Sequence, residues 1–78
     1  MANLALELSH LELADKHIAQ ANENIERVVE RIETNPCGRS NDQSRAVLRT
    51  FRATLAAFQE HRALILRTIR DLREREPV

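Results

Sequence analysis

Apolar residues recur along the first half of the chain at seven-residue intervals. They are Leu4, Leu11, Ile18, Ile25 and Ile32. A second series repeats further on with alternating steps of three and four, interrupted at Arg62; it comprises Leu48, Phe51, Leu55, Phe58, Ile65, Ile69 and Leu72. Such spacing puts apolar side chains on one face of an α-helix. The pattern therefore predicts two amphipathic helices that pack through these faces.

The segment between the two series contains residues that stop helices. The residue before Pro36 is disfavoured in the helical region, and Gly38 supplies the backbone freedom that a tight reversal needs. Asn3 is a good N-cap for the first helix. We predict one domain over 1–78, with helix 1 over about 3–33, a loop over 34–41 and helix 2 over about 42–75. The expected fold is all-α: an antiparallel, coiled-coil-like helical hairpin.

A lone hairpin of this kind leaves half of each apolar face in water. The simplest way to cover the exposed half is a homodimer that forms a four-helix bundle. Charge is also divided along the chain: residues 1–34 carry seven acidic and three basic side chains, whereas residues 35–78 carry five acidic side chains and nine arginines. An acidic helix beside a basic helix favours antiparallel pairing.

Composition narrows the class of protein further. The chain has 78 residues, no Trp or Tyr, and a formal net charge of zero. It shows neither the basic start of a signal peptide nor an apolar run of about 20 residues that could span a membrane. The single cysteine, Cys37, cannot form an internal disulfide, and we expect it to be a free thiol without a role. A cytoplasmic location is the default.

The interruption at Arg62 predicts a polar layer in the hairpin. A buried guanidinium needs a carboxylate, and Asp15 lies at the matching level, near His17 and His61. Asn22 is expected to face Thr54 in the same way. The layer would fix the register and the dimer geometry, as buried polar residues do in coiled coils. The alternatives are a ligand or partner site, and an arginine that merely extends its side chain to the surface.

Metal binding is a weaker interpretation of the same region. Glu7 and His10 form a Glu-x-x-His step on one helical face, and His17 lies one heptad further on. Bundle proteins that bind two metal ions use this step on two helices, with glutamates from the other two. Helix 2 offers no inward glutamate at this level, so we expect no metal and no other cofactor. No arrangement of side chains suits catalysis, and we expect no enzymatic activity.

Four leucines lie off the main apolar stripes and are candidates for an oligomer or partner contact. They are Leu6, Leu13, Leu64 and Leu66. Apolar residues around a helix indicate burial on more than one side. A second copy of the chain is the expected cover, and another protein is the alternative.

Arginine suggests one further class of partner. Arg45, Arg49 and Arg52 form a row along the start of helix 2, and arginine suits contact with phosphate. The zero net charge and the glutamates of helix 1 expected beside this row oppose binding to nucleic acid. Nucleic acid is therefore an unlikely partner.

The length, heptads and alternating Ala and large residues resemble those of the Rop-type plasmid RNA-binding proteins, which implies a dimeric four-helix bundle. The stretches His10-Leu11-Glu12-Leu13-Ala14-Asp15-Lys16-His17-Ile18, Phe51-Arg52-Ala53-Thr54-Leu55 and Glu60-His61-Arg62 are similar to short bacterial two-helix hairpin proteins of uncharacterised activity. We therefore predict a non-enzymatic dimeric module with a protein-binding, regulatory or assembly role. A Rop-like RNA-binding protein is the alternative, followed by a metal-binding bundle.

Overall fold

A computed structural model shows two α-helices packed along their length. The structure describes residues 3–34 and 39–75, without the side chains of residues 39 and 40. Helix α1 spans Leu4–Thr34 and helix α2 spans Arg39–Arg75. Contacts join the start of α1 to the end of α2, as between Ala14 and Ile65, so the helices are antiparallel. The molecule measures 61 × 16 × 14 Å, and the predicted helical hairpin is confirmed.

The first helix begins at the cap that the sequence predicts. The backbone N–H of Leu6 donates to Asn3 Oδ1 at 2.7 Å, and that of Glu7 donates to the Asn3 carbonyl at 3.0 Å. The first bond satisfies one of the amide groups that a helix start leaves without a partner, and the second is the first backbone hydrogen bond of the helix.

The second helix begins earlier than expected. The sequence predicted a start at about residue 42, but α2 starts at Arg39. Asn41 and Ser44 are 6% and 7% exposed, so the stripe of α2 continues upstream of Leu48 in polar residues. Three further predictions fall outside the described residues. They are the end of helix 1 at Pro36, the turn at Gly38 and the free thiol of Cys37.

The core is a single thin layer between the helices. Its most buried apolar residues are Ala14, Ala21, Val28, Leu48, Ile65 and Ile69. Small alanines on α1 oppose larger residues on α2, which brings the two backbones close together. Among the described side chains no large one is less than 2% exposed. A hairpin therefore shelters its apolar stripe only in part.

Over the residues described, neither helix has a segment apolar enough to cross a membrane.

Candidate interaction face

Three surface hollows lie along one side of the hairpin. The largest has a volume of about 320 Å³ and is lined by His17, Gln20, Ala21, Asn24, Thr50, Phe51, Thr54 and Phe58. The second, of about 170 Å³, is lined by His10, Leu13, Ala14, His17 and His61. The third, of about 200 Å³, is lined by Val28, Arg31, Gln43, Ser44 and Val47. The lining residues beside the core recur at helical spacing, so the three hollows lie in a row on one side of the hairpin. The first and second hollows share His17.

We call this side the grooved face. Helical spacing from the lining residues assigns to it Leu6, His10, Leu13, His17, Gln20, Asn24, Arg27 and Arg31 of α1, and Gln43, Val47, Thr50, Thr54, Ala57, His61, Leu64, Thr68 and Asp71 of α2. All are exposed or half-buried in the single chain.

Charge is almost excluded from the grooved face. Over residues 6–24 of α1 and 47–68 of α2 it carries no Asp, Glu, Lys or Arg. Its only charged residues lie towards its ends: Arg27 and Arg31 near the loop, and Asp71 at the open end. The opposite side, which we call the charged face, carries Glu12, Asp15, Glu26, Glu33, Asp42, Arg45, Arg49, Arg52, Arg70 and Arg73. The two flanks of the hairpin are therefore chemically different.

Of the five exposed leucines among the described residues, three lie on the grooved face, and Leu8 and Leu66 lie on the charged face. Leu6, Leu13 and Leu64 are 45%, 51% and 56% exposed there, and Val47 is 42% exposed. Leu66 lies two residues after Leu64, which places it about 200° around the helix on the charged face. Three of the four leucines that we predicted to form a contact thus share one surface, and Leu66 does not.

Several polar groups of the grooved face are paired within the hairpin. The hydroxyls of Thr50, Thr54 and Thr68 donate to backbone carbonyls four residues earlier, at 3.3, 3.0 and 3.0 Å. The Gln20 side-chain amide donates to Asn24 Oδ1 at 3.3 Å. Polar groups that already have partners cost less to bury. These hydroxyls and this amide can therefore lose water at a lower cost than unpaired groups.

All three histidines of the chain line the second hollow. The ring of His17 stacks on Phe58 with a centroid distance of 5.3 Å and an angle of 30°. Nδ1 of His10 lies 3.6 Å from a carboxylate oxygen of Glu7, and His61 faces the hollow from α2. Sequence reasoning placed His17 and His61 in a layer with Asp15 and Arg62. The structure instead puts the histidines on the flank opposite Asp15.

The expected partner of Arg62 is present, but the pair is not buried. Nε of Arg62 donates to Asp15 Oδ1 at 2.6 Å, and the two side chains are 38% and 53% exposed. The premise of a buried guanidinium is therefore wrong for the single hairpin, because the long arginine side chain reaches out of the seam to the charged face.

The second expected polar contact is absent. Asn22 is exposed and makes no hydrogen bond within the part of the chain that the structure describes, whereas Thr54 bonds to the carbonyl of Thr50. Asn24, rather than Asn22, shares the central hollow with Thr54. The predicted pairing of Asn22 with Thr54 was wrong because Asn22 lies on the charged flank of the stripe, next to Ala21.

The candidate metal ligands do not form a site in one chain. Glu7 and His10 lie side by side, and His17 packs on Phe58. Among the described residues no group of three or more His, Cys, Asp or Glu side chains could hold a metal ion.

The arginine row has no acidic partners among the residues that the structure describes. Arg45, Arg49 and Arg52 are exposed, and no described carboxylate oxygen lies within 4.0 Å of their guanidinium groups. The glutamates expected beside this row therefore make no ion pairs with it.

No known protein family, curated protein or solved structure matches this chain. The two resemblances drawn from the sequence thus have no matching family behind them, and the hairpin architecture is the part of them that the structure supports.

Proposed function

We propose that the chain is one half of a homodimeric four-helix bundle and serves as a small, non-enzymatic assembly module. The observation that carries this proposal is its exposed area. The single chain exposes 6218 Å². A compact monomer of 9.0 kDa would expose about 4,900 Å². The excess, about 1,300 Å², lies in the range that each partner contributes to an obligate dimer.

The thin core supports the same proposal. Two helices alone form one layer of apolar contacts, whereas a second pair of helices adds a facing layer. Leu4, Leu11, Ile18 and Phe58 remain half-buried in the single chain and would gain cover in a bundle. In such a bundle the remaining surface is free to bind another protein, which gives the module its role in assembly. The cytoplasmic location expected from the sequence stays a prediction.

Sedimentation equilibrium with light scattering tests the dimer over micromolar concentrations. We expect a mass of about 18 kDa, twice the 9.0 kDa of one chain, together with high helix content by circular dichroism. A helical monomer across this range would contradict the proposal, because the single layer would then suffice for folding.

The arginine row supports a second candidate, binding to the phosphate backbone of nucleic acid. Arg45, Arg49 and Arg52 lie within one stripe and have no carboxylate partner within 4.0 Å among the described residues. Seven residues of helix span about 10 Å, which allows contact with successive phosphates.

Fluorescence anisotropy with mixed RNA and DNA oligonucleotides distinguishes this candidate. If the row binds phosphate, changing all three arginines to Gln should weaken binding and reduce the slope of log K against log salt by about 2–3. The triple change Arg67→Gln, Arg70→Gln and Arg73→Gln is the matched control at the other end of α2. Absence of binding by the unaltered protein at low salt would remove the candidate.

A further inference from the structure

We propose that the grooved face is the surface through which two copies meet, and that they meet antiparallel. This inference rests on the proposed dimer and adds which flank is buried and how the copies are oriented. The alternatives are a dimer through the charged face and a dimer in which both loops lie at the same end.

The chemistry of the two flanks decides which face is buried in the dimer. In a symmetric dimer a surface patch meets a copy of itself, so its charges must be desolvated together. The charged face would bring ten ionised side chains from each copy into the contact, and desolvating charges costs several kcal/mol per ion unless each is well paired. The grooved face brings leucines and hydrogen-bonded threonines, and over residues 6–24 and 47–68 its one bordering charge is the carboxylate of Glu7 beside His10. Burial of the grooved face is therefore the less costly choice.

The dimensions of the grooved face fit a second copy of the chain. The hollows follow both helices from the level of His10 to that of Arg31 along a molecule 61 Å long. A second hairpin has the same length and the same neutral surface, so it can cover all three hollows. Such a cover accounts for the excess exposed area of about 1,300 Å² relative to a compact monomer.

The charges at the two ends of the grooved face select the orientation. In a parallel dimer Arg27 and Arg31 of one copy would lie level with the same arginines of the other, which is repulsive. The contact between Asp15 and Arg62 shows which levels of the two helices lie side by side. At these levels Arg31 lies about 18 Å from the middle of α1 towards the loop, and Asp71 lies about 20 Å from it towards the open end. An antiparallel dimer whose two-fold axis passes level with the middle of α1 therefore brings Arg31 of each copy level with Asp71 of the other.

Matched pairs of exposed leucines test the choice of face. Leu6 and Leu64 lie on the grooved face, and Leu8 and Leu66 follow them by two residues on the charged face, at 41% and 38% exposed. We expect Leu6→Glu with Leu64→Glu to raise the dimer Kd at least a hundredfold. The control, Leu8→Glu with Leu66→Glu, should change it less than threefold. Sedimentation gives the mass, and circular dichroism shows whether each variant is helical.

Other outcomes of this comparison overturn the inference. Dissociation by the control pair alone would place the interface on the charged face, and dissociation by both pairs would show that neither flank is selective. A dimer unaffected by the first pair would also exclude the grooved face. If instead the unaltered chain is a monomer, the proposed function fails, which is a separate result.

The native cysteine allows a test of orientation without any substitution. Cys37 is the single cysteine of the chain and follows Thr34 by three residues. A nitroxide attached to it reports the distance between the loop ends of two copies by electron paramagnetic resonance. The antiparallel dimer predicts a distance on the order of 50 Å, near the length of a 31-residue helix. A distance below about 25 Å, roughly two helix diameters, would show a parallel dimer and overturn the orientation.

Discussion

At the scale of single residues, Arg62 is a polar exception within an apolar stripe. Its guanidinium leaves the seam to reach Asp15, and both side chains are partly exposed. Exposed ion pairs contribute about 0–1 kcal/mol. A leucine at this position would instead extend the contact between Phe58 and Ile65. We therefore expect Arg62→Leu to raise the free energy of unfolding by about 1 kcal/mol, measured by urea denaturation at fixed protein concentration.

The matched control is Asp15→Asn, which breaks the same pair but adds no apolar contact. We expect this variant to lose at most about 1 kcal/mol. If Arg62→Leu instead destabilised the protein or changed its mass in solution, the residue would have the register-fixing role that the sequence first suggested. The sequence identified the partner of Arg62 correctly from the level of the two residues. It could not show the exposure of the pair, because that depends on where a long side chain ends.

At the scale of the helices, small residues on α1 set how closely α2 can approach. Ala14 and Ala21 are 5% and 6% exposed at the helix contact. A larger side chain there would force the helices apart, so we expect Ala21→Leu to cost about 1–3 kcal/mol in unfolding free energy. The comparison is Ala19→Leu, since Ala19 is exposed on the same helix. That change should stay within about 0.5 kcal/mol. Equal losses in both variants, by thermal and urea unfolding, would argue against close packing at Ala21.

Heptad spacing predicted the helices and their inner faces because burial of an apolar stripe is the main force that pairs them. The start of α2 was less predictable, since Asn41 and Ser44 are polar yet buried against α1. The difference between the flanks was visible in the sequence as well. The positions on one side of the apolar stripe of each helix are nearly free of charged residues, whereas those on the other side are not. The hollows of the grooved face could not be predicted, because they arise from the packing of specific side chains.

At the scale of the whole molecule, the hairpin has a neutral flank and a charged flank. A bundle built through the grooved face would present both charged faces to solvent, with the arginine rows of Arg45, Arg49 and Arg52 at opposite ends of an antiparallel dimer. Self-association and binding of a further partner therefore need not compete for one surface. The same arrangement would place all three histidines in the dimer contact.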